Sequence, residues 1–223
     1  MNAPQVVLFD VNETLSDMSP LGRRFLDVGA PELTAKVWFA SLLRDAFALT
    51  AAGGTAPFAT LGTAGLRSVL TGQPLTRDLE AAVEHVMSGF RALGVHPDVP
   101  DGIRALKESG FRLATLSNGS ADVADRLLTD AGLRQEFEHL LSVEGAGVWK
   151  PAPGSYAYAA RTCAVEPAEV MLVAVHPWDI DGAARAGMST AWINRDGSPY
   201  PEYFTAPTHT ISALTELPAR LSE

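Results

Sequence analysis

Cysteine, positive charge and long apolar runs are what this sequence has little of. Its single cysteine, Cys163, excludes an internal disulfide. Within the helix-like segment SYAYAARTCA it reads as a small buried hydrophobe rather than a nucleophile. No stretch approaches the roughly 20 apolar residues that a membrane helix needs, so no membrane partner is expected. Lys and Arg number 17 against 26 Asp and Glu, and the resulting net charge of -9 leaves no basic footprint for nucleic acid. A small molecule is the expected partner, and if it is an anion the site must supply its own positive groups against the overall field. The start, MNAPQVVLFD, enters an apolar strand-like run with no basic region or cleavage pattern before it, and the expectation is a cytoplasmic protein.

What is present points to an α/β protein. The 223 residues suffice for one α/β domain with a small insertion. QVVLFD is a short apolar run ending on a carboxylate, as a buried central strand does, which puts Asp10 at a strand's carboxyl end. From about residue 18 to 95 the pattern turns helical, as in ELTAKVWFASLLRDAFAL, with GGTAPF and LTGQPL as breakers. Beyond it, helix and strand alternate. DGIRALKESG leads into FRLATLSNGS, ADVADRLLTDAG into HLLSVEGAG, PGSYAYAARTCAV into VMLVAVHP, and DIDGAARAGM into STAWINR. Such alternation predicts a Rossmann-like parallel sheet with helices on both faces and a site beyond the strands' carboxyl ends. The expected domains are a core of residues 1–17 and 96–223 and a small helical cap of residues 18–95, inserted after the first strand.

Four predicted strand ends deliver polar residues to one rim: Asp10 with Asn12 and Thr14, Ser117 with Asn118, Lys150, and His176 with Asp179. Taken singly, each has an ordinary reading. Asp10 could form a turn, Ser117 and Asn118 could cap the helix starting near Ala121, Lys150 could lie on the surface, and Asp179 could be a helix N-cap. Together and in this order, FDVNETLSD, LSNGS, VWKP and VHPWDIDGAARAGM resemble the four signature segments of the haloacid dehalogenase superfamily. More narrowly they resemble its L-2-haloacid dehalogenase branch, in which LSNGS, LLSV, a WD pair and WINR recur. The similarity covers residues 5–15 and about 98–196 and is weaker across the insertion.

The resemblance implies that Asp10 is a covalent nucleophile, splitting a displacement into two steps, and that Lys150 is the cation keeping it ionised. It implies that Thr14, Ser117, Asn118 and the backbone of the turn at Gly119 hold the substrate's negative oxygens, and that Asp179 orients Lys150 or a water. Val11, Asn12 and Trp178 flank these groups as substrate-contact candidates. Phosphatases of the superfamily carry a second Asp where this chain has Asn12, which cannot act as a general acid. They also hold Mg²⁺ with an acidic residue where this chain has Val175. No metal and no cofactor are therefore expected.

Other departures are from the dehalogenases themselves. Their Leu-Trp-Arg, whose Arg helps to receive halide, reads Val37-Trp38-Phe39, and their Ser-x-Asn-x-Trp-Asp reads Ala174-Val175-His176-Pro177-Trp178-Asp179. A glycine of the first segment is Glu13. Arg44, Arg23 and Arg24 are candidates to replace the missing Arg, and Trp38 and Phe39 to line an apolar pocket or to serve the cap's core. His176 is expected to titrate near neutrality, with Lys150 lowering its pKa. The expected activity is halide displacement from a short 2-haloalkanoic acid through an Asp10 ester, with inversion at C2, by a homodimer as relatives suggest. Alternatives are a phosphatase acting on a small metabolite and a homologue that binds a small anion without turnover.

Overall fold

The computed structural model describes residues 4–221; the outermost residues of the expected core domain, 1–3 and 222–223, lie outside it. The chain divides into two compact units, Met1–Ser16 with Val95–Glu223, and Asp17–Gly94. The first unit opens with β1 (Val6–Phe9), four residues buried on both faces as a central parallel strand demands.

The second unit holds four helices, α1 (Leu21–Asp27), α2 (Thr34–Ala51), α3 (Phe58–Leu70) and α4 (Leu79–Arg91). Asp78 caps α4, its carboxylate accepting the Ala81 N–H at 2.9 Å, and the stripe Ala82, Val83, Val86, Met87 and Phe90 faces the interior. Trp38 is fully buried at the centre of this unit, edge-on to Phe90 with ring centroids 5.9 Å apart.

After it the first unit resumes with α5 (Val99–Glu108), β2 (Arg112–Ser117), α6 (Ala121–Asp130), β3 (His139–Ser142), α7 (Val143–Ala146), α8 (Pro153–Thr162), β4 (Val170–Ala174), α9 (Pro177–Arg185), β5 (Ser189–Ile193), β6 (His209–Ile211) and α10 (Leu217–Leu221). The strands form one sheet in the order β3-β2-β1-β4-β5-β6, every pair parallel. This is the Rossmann-like core predicted from the sequence. Alternation sends Val7 and Phe9 of β1 into a cluster with Val99, Ile103 and Leu106 of α5 and Leu127 and Leu128 of α6. Helix α9 packs on β4 and β5, and α8 packs on α9. The strand order reverses between β1 and β4, so the crevice expected of such sheets opens at the carboxyl ends of those two strands.

Three details differ from the sequence reading. VEGA, within the segment HLLSVEGAG that reads as a strand and turn, is one turn of helix closed by Gly147 at φ 71°, so Lys150 projects from a loop beyond α7 rather than from a strand end. The edge strand β6 and the terminal helix α10 were not foreseen, because a three-residue strand shows no alternation and follows the breaker-rich segment DGSPYPEYFTAP. No described helix is long and apolar enough to cross a membrane, and Cys163 is buried as a free thiol.

Candidate active site

Asp10 continues the ladder one residue past β1, its N–H donating to Val173 O at 3.0 Å, before the chain turns sharply with the Leu15 and Ser16 N–H groups both on Val11 O. That turn brings Thr14 back over the carboxylate, where its Oγ1 donates to Asp10 Oδ2 at 2.6 Å while accepting the Val175 N–H at 3.1 Å. Lys150, wholly buried, donates from Nζ to Asp10 Oδ1 at 2.8 Å and to Asp179 Oδ2 at 2.6 Å. Asn118 fixes the lysine by its backbone, with Oδ1 accepting the Lys150 N–H at 3.0 Å and Nδ2 donating to its carbonyl at 3.4 Å.

The turn after β2 is tied from both sides. Ser117 Oγ accepts the Gly119 N–H at 2.9 Å, which leaves its own proton to donate, and Ser142 Oγ donates to Gly119 O at 2.8 Å. A Cβ on Gly119 would stand 3.2 Å from Ser117 Oγ and 3.6 Å from Asn12 Nδ2, so glycine keeps this face of the site open. Asn12 itself is buried.

His176 stands between two carboxylates. Nδ1 is 3.3 Å from Asp10 Oδ2, Nε2 is 2.9 Å from Glu13 Oε2, and the ring stacks on Trp178 with centroids 5.0 Å apart. Lys150 Nζ lies 5.9 Å from the Trp178 ring centroid, a cation–π arrangement. Glu13 sits at φ 63°, in the left-handed region that costs a non-glycine residue about 1–2 kcal/mol. Its carbonyl lies 2.9 Å from His96 Nε2.

Electrostatics separates the two buried acids. Burial pushes Asp10 up, but the Lys150 charge and the His176 hydrogen bond outweigh it and hold the carboxyl well below the usual range. Burial raises Asp179, and the Asp10 charge adds to that against Lys150. Of the two, Asp10 is the more strongly held in its charged form. Lys150 is raised despite burial by its two acidic neighbours, so it remains an ammonium. His176 corrects the expectation of a lowered pKa: burial does lower it, yet Asp10 and Glu13 prevail and lift it to about 9.

The capping alternatives fail on geometry. Ser120, not Ser117 or Asn118, is the N-cap residue of α6, and His176 occupies that position on α9. Asp179 lies in the first turn of α9, where the helix dipole favours a carboxylate. Tyr156, which sequence reasoning missed, donates its OH to Asp179 Oδ1 at 2.6 Å. It comes so close because Gly182 has no side chain: a Cβ there would meet the phenol oxygen at 2.5 Å. Nothing in SYAYAARTCA distinguishes that tyrosine from its neighbour Tyr158. A Mg²⁺ centre does not fit these residues. The Lys150 ammonium bridges the two carboxylates, and Val175 packs on the apolar core.

The candidates in the helical unit have local partners. Trp38 Nε1 donates to Gly62 O at 2.9 Å, Phe39 is buried beside Trp38, and the exposed Arg44 pairs with Asp45 at 2.8 Å. Arg23 lies 3.8 Å from Asp27, and the Arg24 side chain lies over Gly89.

Sheet order, the buried acid–lysine–acid bridge and the Thr14 hydroxyl on Asp10 together fit an α/β hydrolase with its site at the strands' carboxyl ends. The chain belongs to the haloacid dehalogenase-like hydrolases, whose family model matches residues 4–187. Its relatives within that family include 2-haloacid dehalogenases. It is 32% identical to (S)-2-haloacid dehalogenase 4A of Burkholderia cepacia over 94% of this chain and 91% of that one. It is 30% identical to (S)-2-haloacid dehalogenase 1 of Pseudomonas sp. (strain CBS-3) over 99% and 98%. Its fold superposes with a TM-score of 0.87 on the L-2-haloacid dehalogenase of Xanthobacter autotrophicus with chloropropionic acid covalently bound, at 25% identity and 98% coverage of both chains.

Proposed function

We propose that the protein hydrolyses short 2-haloalkanoic acids. The observation that carries this reading is the buried Asp10–Lys150–Asp179 bridge, in a site where Asn12 and Val175 replace the acid and the metal ligand of a phosphatase. Asp10, kept ionised by Lys150, attacks C2 from the side opposite the halide. The C–halogen bond breaks with its electron pair on the halide, and C2 inverts as it becomes bonded to an Asp10 oxygen. A halide is a weak base, so no general acid is needed. Water then attacks the ester carbonyl and releases the 2-hydroxy acid.

The Ser117 hydroxyl and the turn at Gly119 are suited to receive the substrate carboxylate, with Val11, Asn12 and Trp178 around it. Thr14 and Lys150 polarise the ester carbonyl in the second step. Asn118 and Asp179 hold Lys150 in place. The exposed Leu26, Leu33 and Val37 of the helical unit favour a homodimer, which sedimentation would test. The free, buried Cys163 fits a reducing compartment such as the cytoplasm.

The direct test is purified protein against haloacetates, 2-halopropionates and phosphate esters, with and without EDTA. Halide release unaffected by EDTA is expected, with negligible p-nitrophenyl phosphate turnover. Robust Mg²⁺-stimulated phosphatase activity would overturn the reading.

A further inference from the structure

Two departures from the family pattern, Glu13 for a glycine and His176 for an amide, meet in the folded protein although they lie 163 residues apart. Glu13 holds His176 Nε2 at 2.9 Å, and that contact turns Nδ1 toward Asp10, 3.3 Å from Oδ2. Nδ1 thereby stands beside the carboxyl group that becomes the ester. Glu13 reaches this position only at φ 63°, a conformation that glycine would adopt without strain, so the backbone is strained where the carboxylate meets the histidine.

We propose that His176 is the general base of the hydrolytic step, with Glu13 as its positioning residue. The assignment rests on Asp10 being the alkylated nucleophile. Asp179, the other acid near the ester, has both oxygens engaged, by Lys150 Nζ at 2.6 Å and by Tyr156 OH at 2.6 Å, and Lys150 itself is a donor. Carboxylate–histidine pairs act in this way when the carboxylate fixes the tautomer in which the other ring nitrogen accepts a proton.

The groups facing His176 are Asp10 and Glu13 from the end of β1 and its turn, Trp178 from α9, and Lys150 across the Trp178 ring. In the resting protein the two carboxylates lift the histidine to about 9. Alkylation neutralises Asp10, so His176 releases its proton to solvent more readily in the intermediate than before it. Nδ1 then takes a proton from the attacking water as the water oxygen bonds to Asp10 Cγ and the carbonyl electrons move onto oxygen, beside Lys150 and Thr14. Collapse breaks the bond from Cγ to the alkyl oxygen, and the departing alkoxide takes the proton held by His176. The regenerated Asp10 carboxyl returns its own proton to His176, which restores the resting ion pair.

The test is rapid-quench chloride release with intact-protein mass spectrometry on (S)-2-chloropropionate, comparing the parent with His176→Asn. His176→Asn is expected to release one chloride per site in a burst, then turn over on the order of 100-fold or more slowly, with alkylated protein accumulating. Parent-like turnover without adduct, or equal slowing of burst and steady phases, would overturn the assignment alone. A parent that releases no chloride would overturn the hydrolase reading beneath it. Glu13→Gln, a milder change, is expected to move the acid limb of ester hydrolysis down by about one pH unit, because His176 loses a facing charge; an unmoved limb would refute the role of Glu13. Independently of turnover, Asp10→Asn imitates the neutralised carboxyl, and NMR titration is expected to show the His176 pKa falling below that of the parent. No fall would break the link between alkylation and base release.

Discussion

Replacing Lys150 by Met keeps most of the side chain's length and apolar stem but removes the charge between two buried acids. Lys150 is 0% exposed, with Nζ 2.8 Å from Asp10 and 2.6 Å from Asp179, so the variant leaves two carboxylates facing each other out of water. Removing one partner from a buried ion pair costs about 3–5 kcal/mol. For a chain of this size each kcal/mol lowers Tm by about 2–4 °C, which gives a fall of roughly 6–20 °C at pH 7. The sign with pH follows from Asp10, whose depressed pKa contributes stability above the ordinary carboxylate range and loses it as pH falls through and below about 4. The difference between parent and Lys150→Met is therefore greatest near neutrality and shrinks on acidification, as both acids in the variant take up protons. Paired thermal melts from pH 7 to 3 measure this. A variant as stable as the parent at pH 7, or a gap that widens in acid, would refute the electrostatic account of the bridge. In activity, kcat is expected to drop on the order of 100-fold or more, because the same ammonium faces the ester carbonyl.

Tyr156→Phe deletes the phenol on Asp179 and is expected to cost about 1–3 kcal/mol in chemical denaturation, with kcat falling more than KM changes; unaltered stability would show that the 2.6 Å contact is not formed in solution. Gly182→Ala forces a methyl against Tyr156 OH and Pro151, and a loss of about 1–3 kcal/mol in the same measurement is expected. His176 has a raised folded-state pKa, so its stabilising contribution is complete below about 6.5 and lost as pH rises through about 9. The Tm of the parent should accordingly fall toward that of His176→Asn between those values, and a constant gap would contradict the pairing with Asp10 and Glu13.

Much of the core was legible because its strands are buried on both faces. VVLF and VMLVA read as strands from apolar runs alone, and Gly110, at positive φ, marks where the helix before β2 stops. Short elements were not legible: VEGA is too brief to show a helical period, and the three residues of β6 are too few to alternate. Motifs in family order pointed to Asp10, Lys150 and Asp179, but side-chain pairings that the topology creates were out of reach. Glu13 and His176 are neighbours only because the sheet places β1 beside β4. Without that contact the sequence points only to Lys150 as a charge near the histidine, and so to a shift opposite in direction to the one that Asp10 and Glu13 produce. Tyr156 was hidden for the same reason, since only the packing of α8 on α9 aims its hydroxyl at Asp179.

The most direct test of the covalent route is a single turnover of (S)-2-chloropropionate in H₂¹⁸O with enzyme in excess, followed by mass spectrometry of the peptide containing Asp10 and of the product. Attack of water on the ester carbonyl leaves the water oxygen on the enzyme, so ¹⁸O is expected in the Asp10 carboxylate while the released 2-hydroxy acid carries none. Label in the product after one turnover, with Asp10 unlabelled, would mean that water attacks the substrate directly and that Asp10 is not the nucleophile.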